Sequence, residues 1–388
     1  MSEIARPQPI HLAVAPDGAG RGQIRLAVGS AGGNSTGWSD PADDGRAGFD
    51  SFARLARTAE RARFDFLLLA DRLHPAEQPR LTAGLDVAAL GRPDPFTVLA
   101  ALASVTEHLG LAGTVDTMFD EPSELARRVA ELDHLSAGRA GIRPVVLRAG
   151  DGDEGLESAA AGADVIVRPP SSPKAAQAFS ADLARRLARH GRSRDELTLL
   201  SAASFVLGDT ERQARELARD VRRRQVSGPA AIAFAEQLWN RDLCSYDPDG
   251  PLPRVDPWID GRVIALGQAG LLLYPDPVAT ARQWRDVARR DNLSIRELVI
   301  EITARTTFVG TAAAVAAQII TAVQRDRVDG FLLAPHLVPG SLDEFADTVV
   351  PVLQERGVFR TEYQAGSLRD RLGLTTTTKE RLSHEHAS

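Results

Sequence analysis

Apolar residues recur along this chain with two alternating periods. Ile24 to Val28 alternates apolar and polar positions, as a strand does. Phe52, Leu55, Ala56, Ala59 and Ala62 fall at helical spacing, which predicts an amphipathic helix over 49–62. Phe66 to Ala70 is an apolar run too short for a helix, so a buried strand, ending in Asp71. Asp94-Pro95 is a good helix opening, an N-cap followed by proline in the first turn, and predicts a helix through Glu107. The pattern then predicts a strand at Leu109–Val115, a helix at Glu121–Leu135, a strand at Val145–Leu147 and a helix at Glu154–Ala161. A strand at Asp164–Val167, a helix at Ala175–His190, a strand at Leu197–Val206 and a helix at Thr210–Arg224 follow.

Short connections between alternating strands and helices predict a mostly parallel sheet with helices outside it. The rhythm breaks over 225–295, where Asp247-Pro-Asp-Gly-Pro-Leu-Pro253 suggests a long insertion, a lid or an unstructured loop. It returns with helices at Ile295–Thr303, Thr311–Asp326 and Leu342–Glu355 and a strand at Gly330–Leu333. The expected organisation is a flexible N-terminus over 1–22, one barrel domain over 23–374 and a disordered tail over 375–388.

Composition narrows the function classes. A formal charge of −6 without a basic patch argues against nucleic acid or an anionic membrane as partner. Cys244 is the only cysteine, so no intramolecular disulfide and no cysteine-based zinc site can form. The opening residues lack the order of a signal peptide and no apolar run reaches membrane-spanning length, so the expected compartment is the cytoplasm. There is no GxGxxG after the first strand, no Gly-x-Ser-x-Gly elbow, and no metal-ligand spacing among the histidines and acids.

Three segments carry a resemblance. They are Ala56–Asp71 (ARTAERARFDFLLLAD), Leu99–Leu111 continuing through Glu121-Pro122 to Leu132–Ala140 (LDHLSAGRA), and Val309–Gly373, with VPVLQERGVFRTEY and LRDRLG. Together the chain resembles the nitrilotriacetate and dibenzothiophene-sulfone branch of the luciferase-like, flavin-dependent monooxygenases. That resemblance implies a TIM-like (β/α)8 barrel with the site at the C-terminal ends of its strands. It also implies reduced FMN supplied by a separate flavin reductase, molecular oxygen, a small organic substrate, and assembly as a homodimer or larger homo-oligomer. Asp71, at the end of the second strand, matches a flavin-contacting position, against a plain reading as a loop residue or helix cap. Thr114 and Thr117 match positions that hydrogen-bond the flavin ring. Asp116 between them stands where the family has a small hydroxyl residue, so flavin contact and ordinary loop positions are both open there. His134 and His108 read as packing residues, His336 as a loop residue that could face the mouth, and Trp38 as either a pocket or a loop residue.

The same resemblance exposes a seam. After Gly138-Arg-Ala-Gly141 the family has its fourth strand and a long excursion that contacts the flavin; here Gly141 runs through Ile142 straight into Arg143-Pro-Val-Val-Leu147. An internal deletion should leave the barrel incomplete or distorted at the fourth strand–helix unit. The family's next landmark, Ala-Gly-Ser-Ser-x-x-Gly, holds the FMN phosphate at a helix N-terminus. Here it reads Ala149-Gly150-Asp151-Gly152-Asp153-Glu154-Gly155. Gly150, Asp151 and Gly152 therefore form the expected phosphate loop, with its hydroxyls replaced. A carboxylate ~4 Å from a phosphate charge costs on the order of 4 kcal/mol at an effective dielectric of about 20. Two readings remain open: a reduced-FMN monooxygenase with a weakened phosphate site, and a flavin-poor homologue acting as a binding or subunit-like partner.

Overall fold

The computed structural model describes residues 23–30, 48–69, 94–113, 121–140, 146–147, 153–168, 172–259, 276–303, 307–336 and 340–374. Strands β1 (Arg25–Ser30), β2 (Phe66–Leu69), β3 (Gly110–Gly113), β4 (Val146–Leu147), β5 (Val165–Arg168), β6 (Thr198–Leu207), β7 (Phe308–Gly310) and β8 (Gly330–Pro335) form one sheet. Its order is β3-β2-β1-β8-β6-β5-β4, with β7 beside the end of β6, and every pairing is parallel. Helices α1 (Phe49–Arg61), α2 (Pro95–Ala103), α3 (Pro122–Leu135), α4 (Asp153–Gly162), α5 (Pro173–Arg189) and α6 (Glu211–Gln225) follow successive strands. Beyond them, α7 (Gly228–Trp239), α8 (Pro277–Asp291) and α9 (Ile295–Thr303) precede β7. Then α10 (Ala312–Asp326) precedes β8, α11 (Gly340–Glu355) follows it, and α12 (Leu368–Arg371) closes the described chain.

The two faces of the sheet bury two different cores. Leu26, Val28, Leu67, Leu69, Phe205 and Leu333 pack outward against the helix layer. Ala27, Phe66, Leu68, Ala112, Val165, Val167, Leu200 and Leu332 meet one another on the inner face, with Leu368, Leu372 and Leu374 from the α12 region among them. Residues of β1, β2, β3, β5, β6 and β8 can share one inner cluster because the sheet curls toward a barrel, the strand period of two assigning alternate residues to each face.

Among the described residues the sheet is not closed between β3 and β4, where the seam falls. Among the described residues, Ala140 is the whole of the pairing beyond β3, a single bridge to Leu111. The Leu111 amide donates to the Arg139 carbonyl at 2.9 Å there. No described pairing joins β3 to β4. Elsewhere, an aspartate just before a strand sets the register. Asp65 Oδ2 accepts from the Leu26 amide at 2.9 Å. Asp329 Oδ2 accepts from the Leu199 amide at 2.6 Å and from Arg194 at 2.8 Å. Both lie at the N-terminal ends of the strands, where they hold β2 to β1 and β8 to β6.

Of the alternatives for the insertion over 225–295, the unstructured loop needs correction. Its described parts are largely helical and carry a core of their own. Ile232, Ala235, Leu238 and Trp239 of α7 pack on Ala281 and Trp284 of α8 and on Ile295 and Leu298 of α9. The Asp247–Pro253 turn is held against them, the Arg285 Nε donating to the Pro253 carbonyl at 2.8 Å. Ser227 and Asp276 cap α7 and α8, accepting from Ala230 and Ala279 amides. Asp94 caps α2 as its sequence suggests, accepting from the Thr97 amide at 2.7 Å.

Candidate functional site

In a parallel barrel the C-terminal strand ends converge on one face, and chemistry is built there from the following loops. Of the sequence-based candidates, Asp71, Thr114, Thr117, Gly150, Asp151 and Gly152 all lie outside the described residues, as do Trp38 and Asp116. The strand ends that present those loops are described. β2 stops at Leu69, β3 at Gly113 and β4 at Leu147, and α4 opens at Asp153.

The inner face changes character from floor to mouth. Its lower part is filled by Phe66, Val165, Leu200 and Leu332 over the α12 leucines. Toward the mouth the inward positions become small or polar: Gly29, Ala112, Ala202, Ser204 and Ala334. At Gly29 a Cβ would lie 3.2 Å from Leu332 Cδ1, close enough that the leucine would have to shift slightly. On β6 and β8, Ala202, Ser204 and Ala334 are half-buried while their outward neighbours Ala203, Phe205 and Leu333 are buried. These upper inward positions are thus partly exposed, where a ligand entering the mouth would meet them.

His336 follows β8 on the same inward parity and is half-buried. Its Nδ1 lies 3.2 Å from the Phe205 carbonyl. A carbonyl only accepts, so Nδ1 carries the proton and a neutral ring leaves Nε2 as an acceptor. Burial lowers its pKa from the ordinary histidine value, with the Phe205 hydrogen bond opposing. The other histidines are elsewhere. His108 stacks on Tyr363, ring centroids 5.0 Å apart, at the N-terminal side of β3. His134 is exposed at the end of α3, so the packing role expected of it is corrected.

The Ser136–Arg139 landmark proves to be scaffold. Arg139 is buried, 6% exposed, and its guanidinium donates to the carbonyls of Ser136 (2.7 Å), Leu109 (3.2 Å) and Ala103 (3.0 Å) and to Thr106 Oγ1 (2.8 Å). It ties the end of α3 to the α2–β3 connection. Glu60, in the first landmark, accepts at Oε1 from the Glu107, His108 and Leu109 amides. A conspicuous polar cluster that sequence reasoning missed lies on the opposite, N-terminal face. Asp65, 2% exposed, accepts from Arg25 Nη1 at 3.3 Å and from Arg360 Nη2. Among the described residues no group of three or more histidine, cysteine or acidic side chains could hold a metal, and no helix is long and apolar enough to cross a membrane.

Family comparison agrees with this geometry. The luciferase-like monooxygenase family model matches residues 30–143 and 141–330. The chain belongs to the luciferase-like monooxygenase family. N-acetyl-S-(2-succino)cysteine monooxygenase of Bacillus subtilis (strain 168) is 28% identical over 446 residues, covering 91% of this chain and 97% of that protein. Nitrilotriacetate monooxygenase component A of Aminobacter aminovorans is 28% identical, covering 83% of this chain and 89% of its own. Among solved structures, a riboflavin lyase with modified FMN and its substrate riboflavin aligns with a TM-score of 0.65 at 22% identity, covering 92% of this chain and 96% of that one. The family's barrel and the parallel sheet described above are the same fold, unclosed between β3 and β4 among the described residues.

Proposed function

We propose that this luciferase-like family member is a two-component monooxygenase that uses reduced FMN and oxygen on a small organic substrate, with a weakened flavin phosphate site. The observation that carries the reading is the family match over most of the chain, together with Ser204, Ala334 and His336, small or polar and partly exposed at inward positions toward the strand ends where barrel enzymes do their chemistry. Asp71, Thr114 and Thr117, in the segments after β2 and β3, would hold the flavin ring. Gly150, Asp151 and Gly152, just before α4, would meet its phosphate. When bound, reduced FMN supplies the electrons that activate oxygen. The chain's task is to orient it and exclude water, and His336 Nε2 offers an acceptor for a donor on the ring or substrate. A separate reductase would supply the flavin, and homo-oligomeric assembly is expected of such an enzyme.

The fit is incomplete at two places. The family match falls in two pieces meeting at residues 141–143, and the alignment to the Bacillus protein, 446 residues long, exceeds the chain's 388. Both are expected of an internal deletion after Gly141. The second place is α4, whose first two residues are Asp153 and Glu154, separated from Asp151 by Gly152 alone. Acids suit a helix N-terminus and compete there with a phosphate. These two features favour the second reading, a flavin-poor homologue acting as a partner protein.

A titration separates the two. Reduced and oxidised FMN are added to the purified protein and binding is followed by fluorescence and calorimetry. Binding at micromolar concentration supports the monooxygenase, whereas none at hundreds of micromolar supports the partner protein. Asp151→Ser should tighten FMN binding by roughly three decades at most, the equivalent of about 4 kcal/mol. An unchanged affinity would show that the phosphate does not sit against residue 151.

A further inference from the structure

The N-terminal face of the barrel, remote from the mouth, carries more buried positive charge than the described residues neutralise. Arg25, Arg360 and Arg371 are 8%, 6% and 4% exposed, and all three line one cavity of about 130 Å³. That is about four waters' share of liquid volume at ~30 Å³ each, enough for one tetrahedral oxyanion. The buried carboxylate beside them, Asp65, is shared between Arg25 and Arg360 and also accepts from the Leu26 amide. Glu60 directs its Oε1 to backbone amides. Arg371 donates to the His108 carbonyl, and Arg25 donates to the Arg371 carbonyl at 2.6 Å. The Nε atoms of Arg360 and Arg371 are buried and have no hydrogen-bond partner among the described residues.

Buried guanidiniums are stable when paired with anions, and an unpaired one carries a heavy desolvation penalty. Tyr363 offers partial relief. Its ring lies 5.9 Å from the Arg360 guanidinium carbon and 5.4 Å from that of Arg371. A ring face does not satisfy an N–H in the plane of the guanidinium. The remaining wall supplies neutral hydrogen-bonding groups, Gln23, Thr361 and Gln364, and one exposed acid, Glu362. The same Gln23 and Arg25 also border a neighbouring cavity of about 460 Å³, floored by Ile24, Leu197, Val328 and Leu372.

We propose that this arginine-lined cavity is a binding site for a compact oxyanion, inorganic phosphate or the phosphate end of a small metabolite, separate from the flavin site. Guanidinium forks match a phosphate's oxygens in geometry and charge. The ligand would neutralise the excess charge and fasten the C-terminal segment, which contributes Arg360 and Arg371, to β1, which contributes Arg25. The anion is thus placed to stabilise the N-terminal end of the barrel. The proposal does not depend on flavin binding at the mouth.

The test uses the full chain and inorganic phosphate, with sodium chloride of matched ionic strength as reference. Phosphate should raise Tm saturably, beyond the chloride effect, and calorimetry should give one site. Arg360→Gln removes a guanidinium directly but also disturbs Asp65. Gln364→Glu, at an exposed position on the cavity wall, is therefore the deciding variant. It should fold normally, bind FMN as the parent does, and bind phosphate at least tenfold more weakly. Glycerol 3-phosphate binding more tightly than phosphate would assign the site to a phosphorylated metabolite, and equal binding to the free anion; both uphold it. A phosphate effect no greater than chloride, or one undiminished in Gln364→Glu, overturns the proposal. So does phosphate binding that FMN displaces, which would place the anion at the mouth.

Discussion

His336 shows how one residue's surroundings set its chemistry. Its burial disfavours the imidazolium, and the Phe205 carbonyl fixes the neutral tautomer. The folded pKa is depressed below the ordinary value of about 6.5, so the folded chain holds fewer protons than the unfolded chain in mildly acid solution. The stability this neutral ring contributes is complete above pH ~6.5 and is lost as pH falls toward the lowered folded pKa. His336→Gln removes that titration. Denaturant unfolding between pH 7.5 and 5 should show a smaller loss of stability in the variant than in the parent. Parallel pH profiles would mean that the ring protonates freely in the folded protein.

Arg139 acts at the scale of elements, because three of its four guanidinium hydrogen bonds join the end of α3 to the turn between α2 and β3, the fourth closing on the Ser136 carbonyl. Arg139→Ala withdraws all four from a buried site. With each charged hydrogen bond worth about 1.5–3 kcal/mol and partly replaceable by water, a loss of about 3 kcal/mol or more is expected from denaturant unfolding. A loss under about 1 kcal/mol would reduce the landmark to a surface feature. The alternation of strands and helices was legible because each element buries one periodic face, as Phe52, Leu55, Ala56 and Ala59 do on α1. Helix α7 was also written in the sequence, in Ala231, Ile232, Ala235 and Leu238, but the Pro- and Gly-rich turn beyond it suggested a loop. The arginine cluster was not legible. Arginine at a strand start reads as a solvated end, and Asp65 meets Arg360 across 295 residues of chain. The candidate flavin residues came from the family resemblance alone, since loops carry no period.

At the scale of the whole molecule, the described sheet runs from well-paired central strands to sparsely paired ends. β1 is paired on both sides, with β2 and β8, and β6 is flanked by β5, β7 and β8. β3 has β2 on one side and, on the other, among the described residues only the Leu111–Ala140 bridge. Unpaired backbone at a sheet edge opens without breaking the core, so protection should grade from the centre of the sheet to its ends. Hydrogen exchange followed by mass spectrometry should find peptides over Gly110–Gly113 and Val146–Leu147 exchanging roughly tenfold or more faster than those over Leu26–Gly29 and Phe331–Leu333. If β3 and β4 are as protected as β1, the barrel is closed by other parts of the chain or by a second copy, and a missing fourth unit no longer accounts for weak flavin binding. If they exchange fast and FMN slows them, the flavin itself bridges the gap, and its binding energy is drawn on to order the barrel as well as to hold the cofactor.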